Sequence, residues 1–189
     1  MIMKPEPIFK AVETVLSETG SKPKIILLSP QGKRFDQDMA KTLSKEEHIL
    51  LICGHYGGVD ERVKLGLVDE EISIGDYVLT GGELPAMVII DAIVRIIPGV
   101  LGAEESIHKD TFYNWLLSPP EYTRPRCFRE MEVPSILLSG NHKRIEKWRR
   151  FQAIKRTLER RPELLRKVRL SDGDKEIIER LKRGLKDEY

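Results

Sequence analysis

Three stretches of this chain share one design, in which an apolar run delivers the backbone into a loop containing glycine. They are Leu27-Leu28-Ser29-Pro30-Gln31-Gly32, Ile52-Cys53-Gly54-His55-Tyr56-Gly57-Gly58, and Ser73-Ile74-Gly75-Asp76-Tyr77-Val78-Leu79-Thr80-Gly81-Gly82-Glu83-Leu84-Pro85. Glycine at such points lets a ligand approach the main chain, whose N–H and C=O groups can hydrogen-bond a heteroaromatic ring. No loop carries G-x-G-x-x-G at the start of a helix, and G-x-x-x-x-G-K-[ST] is absent. Nicotinamide and nucleoside triphosphate chemistries are therefore disfavoured. On these residues alone the reading is either a small-ligand site or a set of structural turns.

A second feature is electrostatic. The formal net charge is only +2, yet the segment from Asn141 to Arg161 sets nine Lys and Arg against Glu146 and Glu159. Such a stripe on an otherwise near-neutral protein is the footprint of a polyanion partner, or else a solvated helix face. Within it Trp148 and Phe151 fall at helical spacing, which favours core over base stacking. His55 and His142 have no ligand cluster that would make them zinc ligands. Cys53 and Cys127 are too few and too far apart for a disulfide framework, and read as free thiols of a cytosolic protein. No apolar run reaches the roughly 18 residues of a membrane span. The opening Met-Ile-Met-Lys-Pro-Glu-Pro has no signal-peptide pattern, so a cytoplasmic location is expected.

The elements that must position these residues follow from periodicity. Helices are expected over Pro5 to Glu18, Asp36 to Leu43, Val59 to Leu67 and Glu83 to Ile97, the last closed by Pro98. Short apolar strands are expected at Lys24 to Leu28, His48 to Cys53 and Glu70 to Ile74, with Ser29-Pro30-Gln31-Gly32 a turn. Strands alternating with helices predict a parallel sheet covered on both faces, and its strand ends would gather the three loops in one crevice. Gly99 to Pro120 lacks periodicity and reads as a linker. Beyond it, helices are expected at Asn141 to Glu159, Leu164 to Val168 and Asp172 to Leu185. This gives an α/β domain over 1–101, a flexible linker over 102–117 and a small, basic, mostly helical domain over 118–189.

Leu28-Ser29-Pro30-Gln31-Gly32, Cys53-Gly54-His55-Tyr56, Val59-Asp60-Glu61-Arg62, the run from Ser73 to Met87, Ile97-Pro98-Gly99-Val100-Leu101-Gly102, Tyr122-Thr123-Arg124-Pro125 and Val133 to His142 resemble, in order, the motifs of the bacterial tRNA (guanine-N1)-methyltransferases. The resemblance extends to about Leu165. It implies a SPOUT-class catalytic domain tied in a deep trefoil knot, which general rules of chain connection would have rejected. It also implies an S-adenosylmethionine site formed by Leu28, Ser29 and Pro30, by Gly54 and Tyr56, by Ser73, Ile74, Gly75, Asp76, Tyr77, Val78 and Leu79, and by Gly81, Gly82 and Pro85. The implied reaction is methylation of N1 of the guanine 3′ to the anticodon, with Asp110 as general base and Arg95 as its electrophilic partner. Without the resemblance, Arg95 reads as a helix-surface partner of Asp91, and Asp110 has no role. The anticodon stem-loop would dock on Lys143, Arg144, Lys147, Arg149 and Arg150, and the enzyme would be a homodimer with shared active sites.

Two departures from the family pattern carry expectations of their own. Family members usually begin well before the motif in which this sequence starts, with a glycine-rich stretch that helps shape the guanine pocket. A form lacking that stretch is expected to bind cofactor but turn over weakly. Gly57 stands where the family usually has glutamate, which removes a carboxylate from any Mg²⁺ or substrate contact.

Overall fold

The computed structural model describes residues 1–100 and 110–184. The chain divides into two compact units, Met1–Gly102 and Ala103–Tyr189. No helix among the described residues is long and apolar enough to cross a membrane.

The first unit is α/β. Its elements are α1 (Pro5–Thr19), β1 (Lys24–Arg34), α2 (Gln37–Leu43), β2 (Ile49–Cys53), α3 (Glu61–Leu67), β3 (Glu70–Ser73) and α4 (Glu83–Val94). The three strands form a parallel sheet in the order β2-β1-β3. Side chains on a strand alternate between faces, so the four consecutive apolar residues of β1 supply two cores. Ile25 and Leu27 pack with Ile8 and Val12 of α1, Ile52, and Val63 of α3. Ile26 and Leu28 face the other way, onto Met39 and Leu43 of α2 and Ala86, Ile89 and Ile93 of α4. A central strand buried on both faces explains why this segment has no polar alternation.

Two expectations for this unit are corrected. Ser29-Pro30-Gln31-Gly32 does not end the strand: β1 continues to Arg34, and its register against β3 shifts between Leu28 and Lys33. Leu28 and Lys33 both face Ile72, so the four intervening residues are extra chain that departs from the ladder and returns to it. A turn signature therefore marks an excursion within a strand. The long helix ends at Val94, well short of Pro98. There Ile96 and Ile97 donate to Ile93 and Val94, replacing the i−4 pattern with tighter i−3 bonds.

The second unit contains a two-residue hairpin, β4 (Cys127–Phe128) with β5 (Met131–Glu132), then α5 (His142–Arg160) and α6 (Asp172–Lys182). Asn141 caps α5 by accepting from the Arg144 N–H at 3.2 Å, and Ser171 with Asp174 forms a reciprocal capping box on α6. The helix expected at Leu164 to Val168 is a 3₁₀ segment, Pro162–Arg166. Leu116, Ala153, Ile154 and Ile178 form the core. Thr157, fully buried, donates to the Ala153 carbonyl and accepts from the Leu117 N–H at 2.9 Å, which holds the 110–118 segment on α5. Residues 102–109 of the expected linker, residue 101 before it, and the last residue of the helix expected to reach Leu185 lie outside the described residues.

Candidate functional site

The excursion of β1 after Leu28 and the ends of β2 and β3 open into a cleft of about 480 Å³ within the first unit. Each strand contributes one loop. From β1 come Ser29, Pro30 and Gln31, with the Gln31 N–H donating to Ser29 Oγ at 3.1 Å. From β2 come Gly54 to Gly58, in which Tyr56 takes a left-handed φ of 59°. From β3 come Ile74, Gly75 and the run Tyr77 to Gly82, begun by Ser73, whose hydroxyl donates to the Gly75 carbonyl and accepts from its N–H. The second and third loops are joined by main chain. Gly82 N–H donates to the Gly54 carbonyl at 2.9 Å, and His55 forms an antiparallel bridge with Gly81. His55 Nδ1 also lies 3.3 Å from Glu83 Oε1.

Glycine is required here for space. A Cβ on Gly82 would come within 2.7 Å of Cys53 Cα, and one on Gly81 would strike Glu83 and the His55 ring. The resulting walls present peptide groups beside Leu27, Leu28, Ile72, Ile74, Val78 and Leu79. Cationic side chains are scarce. Lys64 lines the cleft, but its ammonium is held 3.0 Å from both Glu71 and Gln31 and 3.7 Å from Glu61. A ring held by peptide groups suits this cleft, whereas a polyphosphate would lack counter-charge. Burial and the nearby Glu83 carboxylate push the Cys53 thiol pKa up, so it is a poor thiolate nucleophile. Among the described residues no group of three or more His, Cys, Asp or Glu gathers around a metal position.

In the second unit the exposed side of α5 presents Lys143, Arg144 and Lys147, and Arg149 lies 2.9 Å from Glu146. Trp148 and Phe151 are buried in the core, as their spacing predicts. Arg150 departs from the expected phosphate-binding set. Its Nε and terminal nitrogen meet both oxygens of Asp174, at 2.9 and 2.8 Å, joining α5 to α6. Asp174 is only 4% exposed, and the guanidinium beside it pulls its carboxyl pKa down to about 2. That geometry makes Arg150 an internal tie between helices.

The family model described as tRNA (Guanine-1)-methyltransferase TrmD matches residues 1–167. The chain belongs to this family. A tRNA (guanine-N(1)-)-methyltransferase of Moorella thermoacetica is 59% identical over 184 residues, covering 97% of this chain and 74% of that protein. Its namesakes in Dictyoglomus turgidum and Bacillus cereus are 55% and 52% identical, covering 100% and 97% of this chain and 75% of each relative.

The cofactor residues implied by family resemblance line the cleft with one exception. Asp76 is not part of the lining; its carboxylate is exposed and 3.8 Å from Arg34. Arg95 is the exposed C-cap of α4, its N–H bonded to the Asp91 carbonyl. Asp110 belongs to the second unit and is partly buried, and its main-chain carbonyl accepts from the Tyr113 N–H at 3.2 Å. Sequence reasoning placed Gln31 in a converging loop without giving it a role, and missed Glu61 and Lys64 as cleft residues. The only available signal was the i,i+3 spacing of Glu61 and Lys64 on α3, which does not reveal which way the pair faces. Gly57 has a structural cause in this chain. Its N–H donates to the Met1 carbonyl at 2.9 Å, and a Cβ there would lie 2.8 Å from that oxygen.

Proposed function

We propose that the chain transfers the methyl group of S-adenosylmethionine to N1 of the guanine just 3′ of the tRNA anticodon. The observation that supports this reading is the cleft at the excursion of β1 and the ends of β2 and β3, whose lining includes, apart from Asp76, the residues that the family resemblance implies for the cofactor. The chemistry of the lining fits the cofactor. Apolar residues and glycine-exposed peptide groups suit an adenine ring, and among the described residues the lining brings no Lys or Arg beyond the engaged Lys64. When bound, S-adenosylmethionine supplies the electrophilic methyl group.

The remaining work falls to the protein. Guanine N1 carries a proton and is a weak nucleophile until that proton leaves. Asp110 is the proposed base, and Arg95 steadies the charge that develops on the ring at O6. Leu28, Ser29, Pro30, Gly54 and Tyr56, with the loop from Ser73 through Gly82, hold and orient the cofactor. Lys143, Arg144, Lys147 and Arg149 hold the anticodon arm by its phosphates. The trefoil knot is part of the proposal, as is a homodimer with shared active sites. The dimer is supported by α4, which buries Ala86, Ile89 and Ile93 yet exposes Leu84, Met87, Val88 and Ile90. A helix apolar on both sides fits burial on both.

Asp110→Asn tests the assignment. Methylation should fall by about three orders of magnitude, as loss of a positioned base dictates, while calorimetric affinity for S-adenosylmethionine stays within twofold. A large loss of cofactor affinity instead would make Asp110 structural. No feature of the described residues favours the alternative of a weakly active, binding-only form.

A further inference from the structure

The Tyr122-Thr123-Arg124-Pro125 motif has no part in the chemistry above, yet it forms one wall of a second cleft of about 620 Å³, inside the second unit. The opposite wall is the 3₁₀ segment Ser135–Leu138 and the start of α5. The hairpin fixes the geometry between them. Arg129 and Glu130 turn the chain with left-handed φ values of 50° and 64°, and Val133 N–H donates to the Arg126 carbonyl at 2.9 Å. The floor is apolar, from Val133, Leu137 and the buried Ile145. Its lining also includes Arg124, Arg126 and Arg149 and, among the described residues, a single carboxylate, Glu121. Among the described residues Arg124 and Arg126 make no ion pair, whereas Arg149 has Glu146. Tyr122 lines the cleft and is 50% exposed, so part of its ring is open to a ligand.

An aromatic face, an apolar floor and uncompensated guanidiniums are the components that bind an unstacked nucleotide. The base packs on the ring and floor, and its phosphate meets the arginines. The volume falls within the range of about 300–1,000 Å³ typical of small-ligand pockets. We infer that this cleft receives one splayed-out nucleotide of the RNA substrate, with Tyr122 as its stacking surface and Arg124 and Arg126 on its phosphate. The inference rests on the tRNA reading above and adds a nucleotide-sized pocket beside the phosphate-binding stripe on α5.

The test measures equilibrium binding of the full chain to a tRNA transcript, alongside calorimetry with S-adenosylmethionine. Tyr122→Leu should weaken tRNA binding roughly tenfold, while Tyr122→Phe stays within about twofold because stacking uses the ring face. Arg126→Gln should lower the salt slope by about one. Cofactor affinity and thermal stability should be unchanged in all three, since these side chains are exposed. Wild-type tRNA affinity in Tyr122→Leu overturns the inference and leaves the tRNA reading standing, as does an equal loss in Leu and Phe variants. Stoichiometric binding of an acidic peptide at this cleft, competing with no RNA, overturns it in favour of a protein partner. A wild-type chain that binds no tRNA sinks both readings.

Discussion

The two units meet their proposed ligands by opposite means. In the first, recognition is assigned to the main chain: glycines bring peptide groups to the cleft wall, and the lining ammonium of Lys64 is already held by neighbours. In the second it is assigned to long cationic side chains on α5 and around the Tyr122 cleft. A main-chain site is rigid, fails abruptly when a single methyl group is added, and is nearly indifferent to salt. A site of exposed cations degrades gradually, residue by residue, and weakens steeply with ionic strength. The difference matches the ligands, a small heteroaromatic cofactor against a polyanion.

The contrast can be broken most forcefully at Gly82. Its φ of −83° suits any residue, so a substitution there acts through space alone, against the Cys53 backbone. Gly82→Val should reduce S-adenosylmethionine affinity by about a hundredfold or more in calorimetry, with tRNA binding retained. Salt offers the next largest effect. With Lys143, Arg144, Lys147 and Arg149 on phosphates, these four contacts alone should lower tRNA affinity by at least some tens-fold between about 50 and 200 mM salt, and the arginines of the Tyr122 cleft steepen the fall. Over the same range cofactor affinity should change by less than about twofold. Equal salt dependence of the two ligands would erase the distinction drawn here.

Asp174→Asn sharpens the account of the second unit. It leaves Arg150 without its partner, at a cost of about 2 kcal/mol once the partial exposure of Arg150 is allowed for. Tm should fall by about 4–8 °C. The folded pKa of Asp174 is depressed, to about 2, so its stabilisation is full above the unfolded value of roughly 4 and is lost as pH falls towards 2. Acid melts of the wild type should show this loss between about pH 4 and 2, and the variant should lack that component. The smallest effect is expected at Gly57→Ala, where crowding of the Met1 carbonyl should cost about 1 kcal/mol in a denaturant melt.

Legibility from sequence also differed between the units. The sheet was readable because Ile25, Ile26, Leu27 and Leu28 are buried on both faces and need no polar alternation. The loops were readable because glycine and proline announce departures from regular structure. The return of β1 to the ladder at Lys33 was not, since Ser29-Pro30-Gln31-Gly32 carries the same signature whether a strand stops or bulges. The charge stripe on α5 was legible as a count, but the partner of each cation was not. Arg150 and Asp174 lie 24 residues apart, and only the packing of α5 on α6 brings them together. The hairpin beside the Tyr122 cleft was hidden for a local reason: its turn residues, Arg129 and Glu130, take left-handed φ values without glycine, asparagine or aspartate.

The central claim is tested most directly by incubating the chain with S-adenosylmethionine and an unmodified tRNA transcript, then digesting the RNA and identifying the methylated nucleoside and its position by mass spectrometry. The account predicts 1-methylguanosine at the nucleotide immediately 3′ of the anticodon and nowhere else. Methylation of another atom or another nucleotide, or none with cofactor and tRNA both bound, would contradict it.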